Sequence, residues 1–354
     1  MKLQLLLGLC GLILLSGCNY HKSSHVTPPT VEIIADGETD VMNFEGDVAD
    51  DPAIWIHPKD TQLSLIIGTN KQDGGGLDVY DVSGKLLQSL TDGKFNNVDL
   101  RYGMRVGDAI VDIVAATNRT NDSIALYGVD VQDRTLYPIA ARVIPSIERS
   151  YGTCMYHNQK EDKYYVFVNS KEGGYKQFEL FDNDGKVDAK EVRSFSVATQ
   201  PEGCVADDEN DMLYVGEENA AIWRYSAKAD GGDLRTLIDA VDGGHIVADV
   251  EGLALYTMAN GEGYLFASSQ GNNSYTIYDR KSGVYRGAFR LIDSVIDGTN
   301  DTDGIEVTSH RVGPHYPHGM MVVQDGTDEP SGKQNFKILR IEKVLDKLHL
   351  PFNK

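Results

Sequence analysis

The chain has 354 residues, with 53 acidic and 33 basic side chains and a formal net charge of −20. So negative a surface repels nucleic acid and anionic lipid, which excludes a basic-groove binder. The length is long for one ordinary domain but normal for a single repeat architecture.

Residues 1–18 read as a targeting segment. Lys2 gives a positive start, and residues 3–15 form an apolar run too short to span a bilayer. Leu15-Ser16-Gly17-Cys18 resembles a bacterial lipobox, which would place a lipid on Cys18. Asn19 after the cysteine favours outer-membrane retention. The expectation is an exported, lipid-anchored protein at the outer membrane or surface of a Gram-negative cell. It would touch membrane only through that anchor. Residues 19–30, NYHKSSHVTPPT, suit a flexible tether.

From residue 31 to 354 the chain reads as one domain of short strands rich in Val, Ile, Tyr and Phe, separated by Gly, Asp and Asn turns. Helical periodicity is confined to residues 344–350. Residues 47–71 set the pattern: acids at Asp47, Asp50 and Asp51, an apolar run at 53–56, a polar turn, a second apolar run at 65–69, then the cation Lys71. The pattern recurs six times. Aligned on a lead residue, the copies start at Asp51, Asp99, Tyr151, Glu202, Glu251 and Asp303, about 50 residues apart. Each holds three strand-like runs, and five hold a fourth, as at 85–90, 192–197 and 234–238.

Four strands per such period predict an all-β, six-bladed propeller. The sixth copy lacks its fourth strand, and residues 31–35, VEIIA, have no copy of their own. They are expected to form the outer strand of the sixth blade and close the ring, which removes exposed edges.

The innermost strand of each blade lines the central channel, so lead residues in register would ring one mouth. Asp51, Asp99, Glu202, Glu251 and Asp303 would then converge, with Asp50, Asp249 and Asp301 beside them. Such carboxylates repel unless a cation sits among them. A cluster of oxygen donors alone favours Ca²⁺, with several ions expected. One Asp-Gly or Glu-Gly is most simply a turn; five acids in register call for more. Lys71, Arg119 and Lys171 each lie twenty residues after their lead residue, at the end of the strand antiparallel to it. That places three cations at the same mouth and reads as a cradle for a polyanion. Glu217, Glu218 and Gln270 stand at the comparable places in blades four and five, so the mouth is lopsided.

Of four cysteines, Cys10 leaves with the leader and Cys18 would be lipidated, which leaves Cys154 and Cys204. They fall on first strands of neighbouring blades, and a disulfide between them is expected. No zinc-type spacing occurs. Asp182-Asn183-Asp184-Gly185 echoes a calcium loop, but its glycine comes too early, and a hairpin turn is the better reading. His57, His157, His245, His310, His315 and His318 read as solvated or locally bonded, and no GxSxG or RHG motif occurs.

The segments DDPAIW, GTNK, NNVDLRY, ATNR, YGTCMYH, NSKEG, PEGCVADDE, GEENAAIW, DVEGLALY, SSQGNNSYTIY, NDTDGIEV and VVQDG, in order across residues 31–350, resemble the β-propeller phytases. The resemblance implies calcium-dependent hydrolysis of phosphomonoesters of myo-inositol hexakisphosphate, free or as its calcium salt. By motif match, Lys71, Arg119, Tyr151 and Lys171 correspond to phosphate-binding positions. Asp51, Asp99, Glu202, Glu218, Asp249, Glu251 and Asp303 correspond to catalytic-calcium or water-positioning acids, with Glu202 orienting the attacking water. Asp297 and Asp325 correspond to structural calcium positions. Some members carry a second Lys after GTNK, where this chain has Gln72. A monomer is expected. Two rival readings are a lactonase-like calcium propeller, which needs the acids but not three cations, and a non-catalytic surface-binding propeller, which needs neither in register.

Overall fold

The computed structural model describes residues 30–353. The expected leader, the lipid attachment expected at Cys18 and the expected tether up to residue 29 fall outside the described residues. Among the described residues, six sheets succeed one another along the chain, each an antiparallel run built from innermost to outermost strand in chain order, with an N-terminal strand added outermost to the fifth and to the sixth. The innermost strands are Ala49–Trp55, Phe95–Val106, Ser150–Asn158, Pro201–Asp207, Val250–Thr257 and Ile305–Thr308. The expected six-bladed propeller is what the strands build.

Alternation along each strand sends apolar side chains to both faces of a blade, where they meet the next blade. Six hydrophobic clusters result, one in each gap between neighbours. Trp55 is fully buried between blades one and two, and its indole donates to Asp112 Oδ2 at 2.9 Å. The turn at Asp184-Gly185 has both residues at positive φ (51° and 79°) between strands Gly174–Asn183 and Lys186–Ser196, the expected tight hairpin. Cys154 and Cys204 form the expected disulfide, with Cα atoms 5.7 Å apart, linking the inner strands of blades three and four. The chain's last element is the helix Ile341–Lys347.

Ring closure differs from the sequence expectation. Thr30–Ile33 does form a strand, but it runs parallel to Tyr285–Leu291, the outer strand of blade five. Blade six is closed further along, by Gly37–Glu38 against Lys333–Arg340. Hydrogen bonds from Asp36 N to Ile338 O, Thr39 N to Phe336 O and Met42 N to Gln334 O extend that pairing. The physical reason is a division of labour. Ile33 is buried, and Val31 packs beside it, in the apolar gap between blades five and six. The closing segment is polar and holds through its backbone and one ionic clasp, so its apolar content gave no strand signal.

That clasp is Lys337, whose side chain is fully buried. Its ammonium pairs with Glu38 at 2.8 Å, Asp328 at 3.0 Å and Asp325 at 3.2 Å, and with Asp297. Glu38 lies on the closing strand, so the pair ties the chain's beginning to its last sheet. Removing one partner of a buried ionic group strands the rest. Lys337→Met should therefore cost about 3–5 kcal/mol in urea unfolding. A loss below about 1 kcal/mol would show that the clasp does not hold the closure.

Candidate active site

The inner strands of blades one to five each carry a two-residue irregularity where they start: Ala49/Pro52, Phe95/Val98, Ser150/Thr153, Pro201/Cys204 and Val250/Leu253. The first bulged residue of each blade is Asp50, Asn96, Tyr151, Glu202 and Glu251, and Asp303 stands at the matching place in blade six. These six side chains form the mouth. The glycine that follows four of them is not a turn residue. A Cβ on Gly152 would sit 2.0 Å from Glu202 O, and one on Gly203 would sit 2.1 Å from Glu251 O. Only glycine lets the neighbouring blade's backbone come so close.

The bulged backbone is pinned from the preceding blade. Thr69 Oγ1 donates to Asn96 O at 2.6 Å, Thr117 Oγ1 to Tyr151 O, and Asn169 Nδ2 to Glu202 O at 2.7 Å. These residues stand two places before Lys71, Arg119 and Lys171. The ladder pairs Asn70 with Ala49, Asn118 with Phe95 and Ser170 with Ser150, so the three cations do share one position, at the mouth.

Their surroundings differ. Lys71 is surrounded by acids: Asp47 at 2.8 Å, Asp303 at 2.9 Å and Asp50 at 3.2 Å. Burial works against its charge, but Asp50, Asp303 and Asp47 hold its pKa above the ordinary lysine value. Arg119 and Lys171 instead flank the Tyr151 ring, at 5.4 and 4.0 Å from its centroid. Burial and the Arg119 charge lower the Lys171 pKa. The three cations therefore divide into a neutralised one and an adjacent pair, rather than forming one cradle.

Glu202, Glu218 and Glu251 gather on the acidic side, each offering an oxygen within 4.8 Å of the others. Burial raises all three pKa values, Glu251 well above the usual range, with the Glu202 charge adding to it. Burial, and the charge of Glu202, push Asp50 up to about 8 against the pull of Lys71. Asp303 rises to about 7, again through burial, with Lys71 opposing. Gln270 Nε2 donates to Asp303 Oδ1 at 2.7 Å. The Asp249 charge adds to the rise at Glu218, and the Asp249 backbone oxygen accepts from Gln270 N.

The ring position in blades one and two belongs to Asp50 and Asn96, not to Asp51 and Asp99. Asp51 turns its carboxylate to the next blade and accepts from Val98 N at 3.1 Å. Asp99 lies further along its strand, pairs with Arg101 at 3.0 Å, and accepts from Met155 N at 2.7 Å. The equal twenty-residue spacing in the first three copies hid this, because the bulge rather than the acid marks the register. Aligning the copies on the apolar run after the bulge, with Pro52 matched to Val98, would have found Asp50 and Asn96. Asp297 and Asp325 lie apart from the mouth, around Lys337 with Glu38 and Asp328. His57 is locally bonded as expected, its Nδ1 accepting from Lys59 N and Asp60 N.

The model of the family described as Phytase matches residues 3–352. The chain is 43% identical over 328 residues to a 3-phytase of Bacillus subtilis (strain 168), covering 90% of this chain and 85% of that one. Among solved structures, a structural genomics protein of unknown function from Bacteroides thetaiotaomicron VPI-5482 aligns with a TM-score of 0.54 at 10% identity. That alignment spans 86% of this chain and 72% of the other, a likeness of fold alone.

The raised carboxylates make a prediction about pH. Asp50 keeps its proton in the fold up to about 8 but loses it near the ordinary carboxylate value when unfolded. The folded state thus binds more protons in that window, and stability should fall as pH rises through it. In chelator, the thermal midpoint of the wild type should drop more steeply between about pH 5 and 9 than that of Asp50→Asn. Parallel curves would refute the assignment.

Proposed function

The chain belongs to the phytase family of phosphoric monoester hydrolases, and on that premise we propose that it releases phosphate from myo-inositol hexakisphosphate in a calcium-dependent reaction. The observation that carries the reading is a mouth where buried carboxylates stand beside the adjacent cations Arg119 and Lys171. A polyanion bound through a metal and through basic side chains needs both halves.

The acidic half fits a hard cation. Asp50 Oδ1 and Glu251 Oε2 are buried without a hydrogen-bond partner. Glu202, Glu218 and Glu251 add oxygen donors only, and Asp249 and Asp303 adjoin them. Such a donor set favours calcium over zinc or copper. Bound there, calcium would offset phosphate charge and lower the pKa of a coordinated water.

The chain's own side chains supply the rest. Arg119 offers a planar fork to two phosphate oxygens, and Lys171 a point charge beside it. Tyr151 fixes the spacing of both through its ring. Lys71, already among carboxylates, balances the acidic wall and meets equatorial oxygens from the other side. Glu202 orients a water for direct attack on phosphorus, without a covalent phosphoenzyme. Gln72, where some members have Lys, donates its amide to Asp47 O and adds no charge. Export and lipid attachment at Cys18 belong to the proposal and rest on residues 1–18 alone. Fatty-acid labelling lost in Cys18→Ser is the corresponding check.

Phosphate released from phytate should vanish with EGTA and return with added Ca²⁺. Activity that survives chelation removes the metal, and no release from phytate at all removes the substrate. Lys71→Ala should lower kcat/KM at least about tenfold, since a charge-assisted bond is worth about 1.5–3 kcal/mol. Arg119→Lys should lose about as much, because the fork geometry goes while the charge stays.

A further inference from the structure

Asn96 is the one ring residue of the mouth that is neither an acid nor Tyr151. It is fully buried. Its backbone oxygen is held by Thr69 Oγ1 at 2.6 Å. Its side chain reaches across the mouth: Arg119 Nη1 donates to Asn96 Oδ1 at 2.8 Å, while Asn96 Nδ2 donates to Glu202 Oε1 at 2.7 Å. The second Nδ2 hydrogen goes to Asn97 Oδ1 at 2.8 Å.

The partners fix which way the amide faces. A guanidinium has only donors, so the amide oxygen must meet Arg119; a carboxylate accepts, so the amide nitrogen must meet Glu202. The amide offers its acceptor to the cation and its donor to the carboxylate from two separate atoms, which a single hydroxyl cannot do. Aspartate would keep the first bond and turn the second into repulsion. Alanine would remove both.

We propose that Asn96 is a positioning residue that couples the phosphate-binding guanidinium of Arg119 to the water-orienting carboxylate of Glu202. Arg119 is thereby held from two sides, by the Tyr151 face and by the Asn96 oxygen. Glu202 receives a neutral donor, which directs its carboxylate without neutralising it. The two groups that must meet one phosphate from different blades are set at a fixed separation before substrate arrives, which removes reorganisation from the reaction. This inference rests on the assignment of Arg119 and Glu202 given above.

The test is steady-state phytate hydrolysis with saturating Ca²⁺ by wild type, Asn96→Asp, Asn96→Ala, Arg119→Ala and the double variant Asn96→Ala/Arg119→Ala. Thermal midpoints with and without calcium monitor the fold. Asn96→Asp should lower kcat at least about tenfold with KM within about threefold, because Arg119 stays held while Glu202 is displaced. Asn96→Ala should raise KM as well. The double variant should lose clearly less than the product of the two single losses, since the Asn96–Arg119 contact is removed twice while the Asn96–Glu202 contact is removed once. Should Asn96→Asp fail to fold, Asn96→Ala and the cycle decide. A folded Asn96→Asp with kcat within about twofold of wild type, or multiplicative losses in the cycle, would overturn the coupling. A wild type inactive on phytate would overturn it too, through the assignment on which it rests.

Discussion

Six strands that start at one axis force one residue from each blade into the same small space. Everything at the mouth follows from that crowding. In blades one to five a bulge at the start of the inner strand turns the lead side chain toward the axis, and Thr69, Thr117 and Asn169 of the preceding blades pin the bulged carbonyls of the next three. Glycine after Tyr151, Glu202, Glu251 and Asp303 is the steric condition for the close approach. The side chains so gathered are mostly acids, and the protein interior gives them little water. Their raised pKa values record the cost.

The chain meets that cost in three ways around the ring. Next to Asp50 and Asp303 it supplies its own ammonium, Lys71. At blade two it replaces the acid by the neutral amide of Asn96. Between blades four and five it leaves Glu202, Glu218 and Glu251 together, with a buried Glu251 oxygen unpartnered. That last sector is where an external cation gains most. Arg119 and Lys171 each lie over the Tyr151 ring. The lopsided charge suits a substrate that brings several negative groups to one mouth. The acids around Lys337 meet the same problem with an internal cation, and there the result is ring closure.

Much of this was legible in the sequence because repetition multiplies a weak signal. The strand runs, the hairpin at Asp184-Gly185, the Cys154–Cys204 pair and the shared position of Lys71, Arg119 and Lys171 could be read by laying the copies together. Two readings went astray for one reason. Backbone geometry carries no residue label, so the bulges that set Asp50 and Asn96 on the ring were invisible, and the adjacent Asp51 and the later Asp99 took their place. Likewise the apolar segment 31–35 attracted the closing role, while the polar Gly37–Glu38 performs it through backbone hydrogen bonds and Lys337.

By itself the sequence determined what depends on composition and period: an all-β ring of six units, an acid-rich mouth with cations on one side, and the segments that mark the phytase family. Those features survive any local rearrangement, because they are sums over many residues. The tertiary structure decided which acids face one another, which cation is already neutralised, and that Asn96 spans Arg119 and Glu202. Such contacts join residues up to 232 positions apart. They exist only once the ring has closed, because a shift of one residue in a strand sends its side chain to the opposite face.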